Sequence, residues 1–91
     1  MTQEIKRLFE LRNMKGIHAR LAAKIVQTAE PFQVEATLSY RNITVPLLSI
    51  MGLMMLSARK GALVEVSAHG SQAQELFQAL NDLFERNFDE E

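Results

Sequence analysis

Cysteine is absent from the sequence. That excludes a disulfide framework and any thiolate metal site, and it suits a reducing compartment. A basic excess is also missing: ten basic side chains stand against eleven acidic ones, for a net charge of −1. A protein that coats nucleic acid needs an electropositive surface, so no nucleic-acid partner is expected. Long apolar runs are lacking too. The longest near-continuous one, LLSIMGLMML at 47–56, is about half of the roughly 20 residues that a membrane-spanning helix requires. The opening MTQEIKRLFE has none of the apolar core of a secretory leader. No membrane insertion is expected, and the expected location is cytoplasmic.

What is present is a globular balance. Apolar residues make up 47% and charged residues 23% of 91 positions, enough for one core and not for two, so residues 1–91 are expected to form a single domain. Glu4–Leu11 reads as a first strand, with Ile5, Phe9 and Leu11 on one face and Arg7 breaking the pattern. Asn13 to Gly16 is a turn signal. From Ala19 the period changes: Leu21, Ala22, Ile25, Val26 and Ala29 recur at three and four, the signature of a helix buried on one face. Pro31 ends it and biases Glu30 away from helical geometry. Val34–Tyr40 alternates cleanly, and Arg41-Asn42 connects it to Ile43-Thr44-Val45, a β-hairpin pattern. Ser49 caps a short apolar helix running to about Leu56. Ala62–Ala68 is a strand with Val64, Val66 and Ala68 inward. His69 reads as a turn residue, and Ser71 as the cap of a last helix whose stripe is Ala73, Leu76, Phe77, Leu80, Leu83 and Phe84. The order β-α-β-β-α-β-α predicts an α+β fold: an open-faced sandwich, a four-stranded antiparallel sheet covered on one face by three helices.

Within that order His18 falls at the start of the first helix, between Gly16 and Arg20. A helix N-terminus presents unpaired backbone N–H groups and a partial positive charge, which favour a bound anion. Here the donors are the amides of Ala19 and Arg20, and the Arg20 guanidinium adds a cation suited to phosphate oxygens. The positive end of the dipole favours a neutral imidazole, the nucleophilic form. No carboxylate stands at triad spacing from His18, and no second histidine stands at metal-ligand spacing. By spacing alone the residue reads more readily as an exposed or capping residue without chemistry.

The stretch GIHAR at 16–20 is similar to the active-site motif of the HPr family, the histidine-containing phosphocarriers of the phosphoenolpyruvate-dependent phosphotransferase system. LLSIMGLMML at 47–56 resembles the family's second signature, the segment around its regulatory serine. The spacing between the two, the KG-then-strand pattern at 60–66 and the final amphipathic helix agree with it, so the resemblance covers essentially the whole chain. NFDEE and MMLSARKGALVEVSAHG look closer to the nitrogen-related branch than to the sugar-transport type. The resemblance implies that His18 accepts a phosphoryl group on Nδ1 and that Arg20 steadies it. It implies two partners, enzyme I as donor and an EIIA-type acceptor, and no cofactor or metal. Ser49 matches the position that HPr kinase/phosphorylase modifies in some relatives. Two positions depart from the family pattern. Leu21 replaces the usual proline, which would stiffen the first turn, and Leu48 replaces a frequent lysine before the serine.

Such a chain is a carrier, a substrate of other enzymes more than an enzyme itself, and is expected to act as a monomer. Its histidine has to stay open to visiting proteins. The 47–56 helix is apolar nearly all round and cannot bury every face against one sheet. Leu48, Met51 and Met55 are the residues expected to stay exposed as a partner-docking rim. The alternative is a regulatory or anion-binding interaction module that uses helix 47–56 without covalent chemistry. An independent enzyme fits least, since no further groups complete a catalytic constellation.

Overall fold

The alternating stretches become strands and the stretches with three–four spacing become helices. A computed structural model describes residues 4–90. In chain order it contains β1 (Glu4–Glu10), α1 (Ala19–Ala29), β2 (Glu35–Tyr40), β3 (Ile43–Pro46), α2 (Ile50–Met55), β4 (Leu63–His69) and α3 (Ala73–Glu85), then a tight turn at Asn87–Asp89. The strands form one sheet in the order β1-β4-β2-β3, with every neighbouring pair antiparallel. Register places Phe9 opposite Val64, and Leu38 opposite both Val66 and Val45. These side chains are buried together with the stripes of α1 (Leu21, Ala22, Ile25) and α3 (Leu76, Phe77, Leu80), so the core lies on one face of the sheet. The other face is open, and Leu8 and Leu63 stand on it exposed.

Local chemistry explains the joints. Arg41 and Asn42 both take positive φ, 52° and 68°, the geometry whose twist matches a two-residue hairpin between β2 and β3. Pro46 sits in β3, an edge strand, where a missing N–H does not break the sheet. Ser49 caps α2, its Oγ accepting from the Gly52 N–H at 2.9 Å, a bond that contributes about 1 kcal/mol at such positions. Arg7 does lie on the helix-covered side of β1, as its parity requires. It is tolerated because β1 is an edge strand and its guanidinium rests 5.6 Å from the Phe77 ring centroid.

Four expectations need correcting. Leu11 leaves β1 although it is fully buried, because its N–H donates to the Ala62 carbonyl and its own carbonyl accepts from Gly61. His69 belongs to β4 and not to the turn, opposite Glu4 and Glu35, with Nε2 2.9 Å from Glu35 Oε1. Helix α3 begins at Ala73 with Gln72 at the cap position, and no side chain caps it. Gln72 Oε1 accepts instead from the Gln33 N–H at 2.7 Å, tying the start of α3 to the loop before β2. Glu30 keeps helical φ and ψ despite Pro31, because its N–H bonds to the Val26 carbonyl and the Phe32 N–H bonds to Ala29.

Candidate functional site

The loop before α1 is stitched in place from both sides. Asn13 is fully buried, and its Nδ2 donates to the Gly16 carbonyl at 2.7 Å. Gly16 takes φ +67° with its backbone against the segment after α2, so close that a Cβ there would lie 2.3 Å from the Ala58 carbonyl oxygen. One residue on, the Ile17 N–H donates to that same oxygen at 2.9 Å. Glycine is therefore demanded at this point by both the dihedral and the space. With the loop pinned, His18 arrives in extended geometry, φ −128° and ψ 178°, as the cap residue of α1.

The His18 carbonyl accepts the first helical bond, from Ala22 at 2.8 Å, so the amides of Ala19 and Arg20 lie ahead of any intrahelical acceptor. The imidazole makes no capping bond to them. The cradle of N–H groups is thus left free beside a ring whose side chain is 29% exposed. Arg20 is exposed and makes no ion pair among the described residues. The cleft around the ring is lined by three cations, Lys15, Arg20 and Lys24, and by the carboxylates of Asp89 and Glu90. Leu21 is fully buried where the family pattern has proline, so the first turn is fastened by packing.

One participant was invisible in the sequence. Glu90 Oε2 lies 2.6 Å from His18 Nε2, across 72 positions of chain, a carboxylate neighbour that sequence spacing does not show. The other oxygen, Oε1, accepts from Asn13 Nδ2 at 3.1 Å. Three further contacts carry the chain back to this point. Phe88 is fully buried, edge-on to Phe84 at 4.6 Å. Lys24 Nζ donates to the Phe88 carbonyl at 2.6 Å, and Arg12 donates to the Phe84 carbonyl at 3.2 Å. The reversal needs positive φ at Asn87, Phe88 and Asp89. Asn and Asp tolerate that region, whereas an aromatic residue pays about 1–2 kcal/mol. Full burial of the Phe88 ring, about 1.5–3 kcal/mol, offsets it.

The remaining sequence-selected residues lie on α2 and just before it. Leu47, Leu53 and Leu56 are buried, while Leu48, Met51 and Met55 are 51%, 75% and 76% exposed. α2 itself packs on α1 and β3. Ser49, the α2 cap, is half-buried with its hydroxyl engaged by Gly52. No group of three or more potential ligating side chains able to hold a metal ion occurs among the described residues, and no described helix is long and apolar enough to cross a membrane.

The chain is a small open-faced sandwich with a histidine at the cap position of its first helix, and comparison with known proteins places it among the small phosphocarriers. The family model for the phosphotransferase-system HPr component phosphorylation site matches residues 5–86. The chain is 43% identical over 79 residues to phosphocarrier protein HPr of Xylella fastidiosa, covering 87% of this chain and 89% of that one. It is 40% identical over 86 residues to phosphocarrier protein HPr of Neisseria meningitidis, covering 94% and 97%. The crystal structure of HPr from Thermoanaerobacter tengcongensis superposes with a TM-score of 0.90 at 40% identity, covering 96% and 98%. The chain belongs to the HPr family of phosphocarriers of the phosphotransferase system.

Proposed function

We propose that His18 accepts a phosphoryl group on Nδ1 from enzyme I and passes it to an EIIA-type acceptor, the chain acting as a monomer in the cytoplasm. The observation that carries this reading is the half-open His18 ring at the N-terminus of an eleven-residue helix whose leading amides have no capping side chain. Those amides and the Arg20 guanidinium provide charge stabilisation for the phosphoryl oxygens without enclosing them, as suits a group that must leave again. Leu48, Met51 and Met55 form the docking rim in this reading, since a surface of leucine and methionine re-packs against more than one partner. Ser49 is the proposed regulatory position. A phosphoryl group there adds charge at the start of α2, next to the rim, and disturbs docking more than folding.

The test follows label from phosphoenolpyruvate through enzyme I. The protein takes it up in acid-labile form and yields it to an EIIA-type acceptor, and Met51→Asp slows both transfers at least about tenfold, because burying a new carboxylate at an apolar contact costs more than about 1.4 kcal/mol. Uptake and discharge by Met51→Asp at wild-type rates would remove the rim from the account. Reversible phosphate binding with no covalent label would favour the anion-binding module over the carrier.

A further inference from the structure

We propose that Glu90 is a positioning residue for the phosphoryl transfer, holding the His18 proton on Nε2 so that Nδ1 carries the attacking lone pair. The proposal rests on His18 being the phosphoryl acceptor. Its basis is the way one carboxylate divides its two oxygens. Oε2 faces His18 Nε2 at 2.6 Å and Oε1 faces Asn13 Nδ2 at 3.1 Å. An ionised carboxylate only accepts, so the ring nitrogen facing it has to be the donor. A neutral imidazole that donates through Nε2 keeps its lone pair on Nδ1, the nitrogen that makes no capping bond to α1. The carboxylate is well seated for this: its side chain is 17% exposed, Asn13 is fully buried, and Phe88 and Lys24 fix the backbone just ahead of it.

The same contact serves the transfer in both directions. The Nδ1 lone pair attacks phosphorus, and the bond between phosphorus and the donor breaks with its electron pair returning to the donor. The ring then carries both the phosphoryl group and the Nε2 proton, so it is cationic, and the Glu90 carboxylate compensates that charge. On discharge the P–N electron pair returns to Nδ1 and the ring is neutral again with its proton still on Nε2. No proton has to leave the site in either step. The logic is that of a carboxylate behind a catalytic imidazole, which orients the ring and selects its tautomer.

Glu90→Gln separates charge and tautomer from shape. Glutamine has one carbonyl oxygen for two donors. If that oxygen serves Asn13, its NH2 faces Nε2, which must then accept, and the proton moves to Nδ1. Label uptake from phosphoenolpyruvate through enzyme I is expected to fall about 10- to 100-fold in Glu90→Gln and in Glu90→Ala, by analogy with the loss on removing the hydrogen-bonded partner behind a metal-ligating histidine. In the unphosphorylated wild type, proton NMR is expected to show a slowly exchanging His18 Nε2–H signal that both variants lose. Variant uptake within twofold of wild type, or a wild-type protein with no protected Nε2–H, overturns the assignment of Glu90. A wild-type protein that keeps the protected proton but takes no label refutes the carrier reading, and Glu90 as its positioning residue falls with it.

Discussion

His18→Ala is expected to take no label from phosphoenolpyruvate and enzyme I, while it still folds, with an unfolding midpoint lowered by no more than about 4–8 °C. The two halves of this result come from different parts of the structure. Chemically, the substitution removes the nitrogen that bonds to phosphorus in the proposed transfer, and His69 is not expected to replace it. That ring stands at the end of β4 with its Nε2 paired to Glu35, and it is not a helix-cap residue. Structurally, the His18 side chain contributes no cap bond to α1, and its loop is held by backbone bonds of Gly16 and Ile17 that alanine leaves intact. The loss is one partner of Glu90 at a partly exposed position, a cost of about 1 kcal/mol. In a domain of this size that lowers the midpoint by about 4–8 °C. Wild-type labelling of His18→Ala in an acid-labile form would mean the phosphoryl group sits elsewhere. His69→Ala is the companion control and is expected to label as wild type does.

Gly16→Ala is expected to be the most damaging single-methyl change near the site. The new Cβ meets the Ala58 carbonyl oxygen at 2.3 Å and the Arg59 Cα at 2.6 Å, both backbone atoms that no side-chain rotation can move aside. The residue also has to hold φ +67°, which costs a non-glycine residue about 1–2 kcal/mol. Overpacking adds roughly 1–3 kcal/mol. A total of about 3 kcal/mol lowers the unfolding midpoint by about 12–24 °C. The relief available to the chain is to lift the Asn13–Ile17 loop off Ala58, which takes His18 out of register with the start of α1. Label uptake is therefore expected to fall even at temperatures where the variant is folded. A melting midpoint within about 3 °C of wild type, with full uptake, would show that the loop is not pinned as described.

Most of the architecture was legible because its signals are local. Period-two stretches gave way to period-three-and-four stretches at Ala19 and again after Ser71, and the turn residues stood between them. The three residues expected outside on and before α2, Leu48, Met51 and Met55, are exposed, as are Ile50 and Met54, while Leu53 and Leu56 are buried. Element ends were less clear because long-range bonds decide them. Gln72 serves the loop before β2 instead of α3, and Leu11 pairs with the Gly61–Ala62 segment after leaving its strand.

Glu90 was beyond reach for a different reason. Its meeting with His18 depends on a chain reversal that places an aromatic residue, Phe88, at φ 58°, a conformation that no local preference suggests. Burial against Phe84 makes it stable, and that burial is a property of the packed helix and sheet. NFDEE carried a hint in its Asn and Asp, the residue types that tolerate positive φ, but nothing in five residues says which distant side chain the carboxylate will find.

Phosphorus-31 and nitrogen-15 NMR of the protein charged through enzyme I tests the central claim most directly. The account predicts one phosphorus signal coupled to Nδ1 of His18, with the Ala19 and Arg20 amide protons shifted as their N–H groups turn to the new oxygens. Phosphorus bonded to any other residue, or to His18 while those two amides stay unmoved, would contradict it.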